Sequence, residues 1–165
     1  RRFQTRRPDR WCSTTPTIPR LTGHSGDCLS ANWAGLTPEV AQDHWPEIES
    51  ILEPAMRKNR SDFRPEDILL GVKEKRYQLW VVFDDRIRAV VVTEILKFPV
   101  RKVCFVLVLA GRDLNEWIHL LEAVLMPWSK AEGCVKIRGL PRKGLGPILS
   151  ARGWKTTRLV MERDL

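Results

Sequence analysis

The chain has 165 residues, about one domain's worth and enough to bury roughly two-thirds of the surface its unfolded form exposes, so a core can form without metals or disulfides. A hydrophobic share of 43% beside 29% charged residues excludes a wholly disordered chain, and the longest apolar runs, such as 103–110, are far too short to span a bilayer, so no membrane partner is expected. The net charge of +8 leaves nucleic acid, an anionic ligand or an acidic protein surface as partners.

Residues 1–27, RRFQTRRPDRWCSTTPTIPRLTGHSGD, mix Arg, Pro, Ser, Thr and Gly with no apolar periodicity. They read as a disordered arm or a non-native extension, without the continuous apolar core of a secretion signal. His24, Ser25 and Asp27 stand side by side there, but neighbours in such a segment cannot hold nucleophile, base and orienter in line. Cys12, Cys28, Cys104 and Cys134 show no C-x-x-C spacing, which suits a reducing compartment.

From Cys28 the pattern sharpens. Residues 28–33, CLSANW, read as a short strand. Thr37 before Pro38 marks a helix start, because threonine caps and the fixed φ of proline suits the first helical position. Pro46 splits this region and begins a second helix with a face of Ile48, Ile51, Leu52, Ala55 and Met56. RPEDILLGV repeats the signal, with proline and acids in a first turn, and predicts a short helix ending near Gly71.

Between Tyr77 and Gly111, three apolar β-branched runs are separated by Asp84-Asp85-Arg86 and by Phe98-Pro99-Val100, which predicts an antiparallel three-strand meander. Runs 89–92 and 103–110 are apolar on both faces, so helices should cover both sides of the sheet. Asp113 is then a natural N-cap with Glu116 as its capping-box mate, and Leu114, Trp117, Ile118, Leu121, Val124, Leu125 and Trp128 form one apolar stripe. Pro127 should kink or end that helix. CVKIRG reads as a strand, GPILSARG as a short helix closed by Gly153, and KTTRLVMERDL as a final strand. The domain over 28–165 is therefore α/β (α+β), in the order β-α-α-β-β-β-α-β-α-β. Trp80, Trp117 and Trp128 belong to core stripes, whereas Trp33, Trp45 and Trp154 do not and are candidates for a protein-protein surface.

This order, with "ARGW" and "RLVMERDL" at its close, resembles the GNAT-type N-acetyltransferase fold over roughly residues 29–165. The phrases RPEDI, QLWVV, VVVTEI, FPVRKVCFVLVLAG, DLNEWI and AEGCVKI are similar to those of GNAT-like proteins of tailed bacteriophages and prophages. The resemblance implies a mixed central sheet with helices on both faces. It also implies acetyl-CoA held where the fourth strand splays from the fifth, by a loop of the form Gln/Arg-x-x-Gly-x-Gly/Ala whose N–H groups wrap the pyrophosphate.

At that place this chain has LAGRDLNEW, so Leu109, Gly111 and Arg112 are the cofactor-binding positions the resemblance implies. The second glycine is absent, and Asp113 and Glu116 bring negative charge. The turn is therefore expected to cap a helix rather than hold phosphate, with no cofactor, or with acetyl-CoA only if the loop is divergent. PRKGLGPILSARGW imitates the missing loop, but its spacing is one residue short and it follows the fifth strand. Arg138, Arg142, Lys143 and Arg152 form a candidate anion site, and no metal site is expected.

Glu94 is the carboxylate of a core-like strand and the candidate base of an acetyl transfer, with a structural pairing to a nearby Lys or Arg as the other reading. Tyr77 lies far from where the family's acid tyrosine is found, and His44 and His119 read as helix-surface residues. From Cys134 onward eight Lys or Arg face only Glu162 and Asp164, a basic surface open to nucleic acid. Together these features predict a catalytically degenerate GNAT-fold protein of phage origin that binds a virion, packaging or host-protein partner, cytoplasmic in a bacterial host or virion-associated. The alternatives are an acetyl-CoA-dependent N-acetyltransferase and a nucleic-acid-binding module.

Overall fold

A computed structural model describes residues 32–59, 61–141, 143–157 and 163. Thr37 caps the first helix as its sequence predicts: its hydroxyl accepts from the Val40 N–H at 3.4 Å, with Pro38 directly after it. This helix, α1 (Pro38–Asp43), follows strand β1 (Asn32–Leu36). Next come α2 (Trp45–Lys58) and α3 (Pro65–Lys73), each with proline in its first turn. Three helices therefore precede the meander, at the three starts the residues predict although the string written from them holds two; His44 separates α1 from α2, and Arg64, whose N–H is taken by Asp67 at 2.8 Å, precedes α3.

The meander forms as expected: β2 (Tyr77–Phe83), β3 (Ile87–Lys97) and β4 (Lys102–Gly111) are antiparallel neighbours, and β1 adds antiparallel to β2. Helix α4 (Leu114–Ala131) then crosses over and returns the chain parallel to β4 as β5 (Cys134–Gly139), the connection a parallel pair requires. A 3₁₀ turn (Lys143–Leu145) and α5 (Gly146–Ala151) follow. Among the described residues the sheet runs β1-β2-β3-β4-β5. The expected closing strand lies largely at positions outside the described residues, as do residues 1–27.

Alternation along the strands divides the core in two. Leu79, Val81, Val90, Val92 and Val108 meet α1, α2 and α3 on one face, while Trp80, Val82, Val91 and Cys104 meet α4 and α5 on the other. Helices thus cover both faces, as the doubly apolar runs predict. Helix α4 passes through Pro127 and ends only at Ala131; Leu121, Leu125 and Ser129 on either side remain buried against the sheet, so packing outweighs the lost N–H.

Gly71 does not end α3. The helix continues to Lys73, and Gly71 lies so close to the Tyr77 ring that an added Cβ would overlap it. The glycine serves helix-strand approach rather than termination. Of the three tryptophans set apart from the stripes, Trp45 is core, buried beside Ile48 because Pro46 starts α2 with Trp45 on its inner side. It offers no partner surface. Trp33 packs on Trp117 with ring centroids 6.1 Å apart, and the Trp154 indole donates to Glu122 at 3.0 Å, so both are engaged within the chain.

A buried polar chain ties the middle strands together: the Trp80 indole donates to the Thr93 hydroxyl at 2.9 Å, and that hydroxyl donates to the Gln78 carbonyl oxygen at 3.2 Å. Thr93 is fully buried, so Thr93→Val leaves the indole N–H without an acceptor and should cost about 1–3 kcal/mol in urea unfolding. Thr93→Ser, which keeps the oxygen, should recover most of that loss.

Candidate functional site

Beta strands four and five pair only as far as Val106 and Gly139. Beyond that point β4 continues to Gly111 while β5 stops, so among the described residues one side of 107–111 has no strand partner. Just there, Val92 pairs with Val108 but Thr93 with Val106, which leaves Leu107 as an extra residue, a bulge that bends β4 at the start of the gap. Asn115, on the first turn of α4, faces Pro147, Ile148, Ala151 and Arg152 across an open cleft of about 650 Å3.

The end of this gap is closed by a short link. Only Arg112 and Asp113 separate β4 from α4. A link that short must reverse the chain at once, and it does so with Asp113 in the left-handed region, φ 51 and ψ 48, a conformation Asp tolerates better than most residues. A side-chain N-cap needs extended dihedrals, so the expected capping box does not form: the Asp113 carboxylate takes no helix N–H. Glu116 turns instead toward Arg88, whose Nη1 lies 3.8 Å from Glu116 Oε2 and whose Nε is bonded to Asp84. The Arg112 carbonyl accepts from the Trp117 indole at 2.6 Å.

Gly111 has φ +143, and an added Cβ would stand 2.6 Å from the Ala89 Cβ and 3.0 Å from the Arg88 carbonyl oxygen. Sheet packing therefore accounts for this glycine without any ligand. Capping does not govern the turn, as the sequence suggests it should; the length of the link does.

Glu94 lies half-buried on β3, opposite Tyr77 on β2 and Phe105 on β4, and Phe105 in turn pairs with Arg138 on β5. These four form one row across the sheet on the α1–α3 face. Leu109 and Gly111 lie about 13–20 Å further along β4 than Phe105. Arg76, stacked over the Tyr77 ring at 5.0 Å, is held above its ordinary pKa first by its hydrogen bond to Glu74 and in smaller part by Glu94. Tyr77 is buried edge-on to Phe63. His119 is exposed on α4, and His44 joins α1 to α2 half-buried.

Of the four residues of the expected anion cluster, the side chains of Arg138 and Arg152 are described, and they belong to different parts of the fold. Arg138 belongs to the α1–α3 face, since its neighbour Ile137 packs on the other. Arg152, at the end of α5, pairs with Glu122 at 3.4 Å. Lys143 opens the 3₁₀ turn, and Arg142 lies outside the described residues. Cys104 and Cys134 are free thiols buried on the α4 side, both pushed up mainly by burial. Among the described residues no three His, Cys, Asp or Glu side chains are placed to hold a metal ion, and no helix is long and apolar enough to cross a membrane.

The overall arrangement of sheet and helices is similar to that of solved structures. A predicted acetyltransferase from Clostridium acetobutylicum, solved with acetyl-CoA, superposes with a TM-score of 0.63 at 12% identity, over 82% of this chain and 96% of that one. An aminoglycoside acetyltransferase from a soil metagenome, in complex with sisomicin, gives 0.60 at 15%, over 82% and 96%. Glucosamine-6-phosphate N-acetyltransferase from Arabidopsis thaliana gives 0.60 at 12%, over 82% and 99%. The chain has the GNAT fold. No family model matches it, and neither does any curated protein.

Within that fold, the link that would face the diphosphate of acetyl-CoA is two residues long, Arg112-Asp113, and carries no glycine. Beside the turn, Arg88 pairs with the carboxylates of Asp84 and Glu116.

Sequence reading missed the role of Arg88, the grip of the Trp117 indole and the single-residue bulge at Leu107. None of the three leaves a local signal, since the consecutive apolar run 103–110 is already required by a sheet covered on both faces.

Proposed function

We propose that this chain is a GNAT-fold protein that acts by binding a partner and lacks the diphosphate grip of an acetyl-CoA enzyme. The observation that carries this is the two-residue link between β4 and α4, with Gly111 packed on Ala89. What supports a phage setting, with a virion, packaging or host-protein partner, is the likeness of RPEDI, DLNEWI and the other phrases to phage GNAT-like proteins.

Thermal unfolding with acetyl-CoA tests the reading, because a ligand bound only by the folded state raises Tm. At a hundredfold excess over Kd a true cofactor adds about 2.7 kcal/mol, or about 5–10 °C for a chain of this length. The expected shift is none. Stabilisation by acetyl-CoA that is lost when Arg112 is changed to Glu would overturn the proposal.

The gap beyond Val106 and Gly139 favours a second reading, an N-acetyltransferase with Glu94 as base and a divergent loop over Leu109 to Arg112. In that case the same titration gives the opposite result, and Glu94→Gln abolishes transfer while leaving the acetyl-CoA shift intact.

A further inference from the structure

The β3–β4 hairpin ends in a tight turn that plays no part in the site above. Phe98 and Arg101 exchange both backbone hydrogen bonds, at 2.9 and 3.2 Å, so Pro99 and Val100 form a closed two-residue tip. That tip is apolar and bare: Val100 is 87% exposed and Phe98 47%. Lys97 and Arg101 flank it, with Lys102, whose ammonium also donates to the Glu132 carbonyl at 3.2 Å, just behind; all three are exposed, and residues 97–102 contain no acid. The tip stands at the far end of β4 from the α4 link, about 30 Å away.

An apolar point within a ring of cations suits a surface that is anionic outside and apolar just beneath. A peptide helix needs a groove and a peptide strand needs an open edge, and a projecting turn provides neither. Nucleic acid would use the cations but not the aliphatic Val100. A bilayer yields to a convex, rigid probe, and each cation near an anionic leaflet adds to the attraction.

We propose that the β3–β4 tip docks on an anionic lipid bilayer, with Phe98 and Val100 entering the headgroup region and Lys97, Arg101 and Lys102 meeting the lipid anions. This is contact with a surface, not a span. It goes beyond the protein-binding role above and does not rest on it.

Sedimentation of the full chain with vesicles tests it, using phosphatidylcholine alone or mixed with an equal part of phosphatidylserine. The chain should sediment with the mixed vesicles and stay in solution with the neutral ones. F98S/V100S should weaken binding at least about tenfold, and K97Q/R101Q roughly thirtyfold, with unfolding midpoints unchanged because all four side chains are exposed. Equal binding by wild type and both variants, or equal binding to neutral and mixed vesicles, would overturn the proposal. So would failure to bind vesicles together with capture by a single-stranded oligonucleotide or an acidic peptide that the same variants abolish. The cofactor titration remains separate: acetyl-CoA stabilisation alongside vesicle binding removes the cofactor-free reading and keeps this one, and no vesicle binding with no acetyl-CoA effect does the reverse.

Discussion

Gly111→Ala should lower stability by about 3 kcal/mol and Tm by about 6–12 °C, whether or not a ligand is present. Two costs add. At φ +143 any L side chain is strained, by roughly 1–3 kcal/mol. The new Cβ also meets the Ala89 Cβ at 2.6 Å, and Ala89 is fully buried on β3, between β2 and β4, with nowhere to retreat. Thermal unfolding of the purified variant, with and without acetyl-CoA, reads the effect directly. A glycine kept for a cofactor would show its loss in ligand binding with little change in ligand-free Tm; a glycine kept for sheet packing shows the reverse. An unchanged ligand-free Tm would refute the packing account.

Gly111 also shows where the sequence was legible and where it was not. The meander, the helix starts at Thr37-Pro38 and at Pro65, and the stripe of α4 rest on short-range rules, and those rules act alike in any fold. Gly71 and Gly111 are set by contacts with Tyr77 and Ala89 across different elements. Nothing local distinguishes a glycine that ends a helix or cradles a phosphate from one that lets a ring or a strand come close. Asp113 misled for a related reason. Its residue type and the Glu116 spacing fit a capping box, but a link of two residues fixes its dihedrals in the left-handed region, and Arg88 on a neighbouring strand draws Glu116 away. The fold followed from patterning summed over many residues; the candidate site turned on a few tertiary contacts that patterning does not encode.

Those contacts converge on Trp117. Its ring is 4% exposed, stacks at a tilt of 51° against Trp33 of the edge strand, and donates its N–H to the Arg112 carbonyl. One side chain thus holds the start of α4 both to the sheet and to the β4–α4 link. Trp117→Ala should cost about 3–5 kcal/mol, the range for emptying a buried aromatic site. Trp117→Phe keeps much of the packing and loses the hydrogen bond; because Arg112 is exposed, water can take over its carbonyl, so the cost should fall to about 1–2 kcal/mol. Urea unfolding of the two variants separates packing from polar anchoring. If Trp117→Phe cost as much as Trp117→Ala, the indole N–H rather than the ring would be holding the link, and the β4–α4 turn would be a polar latch instead of a packed corner.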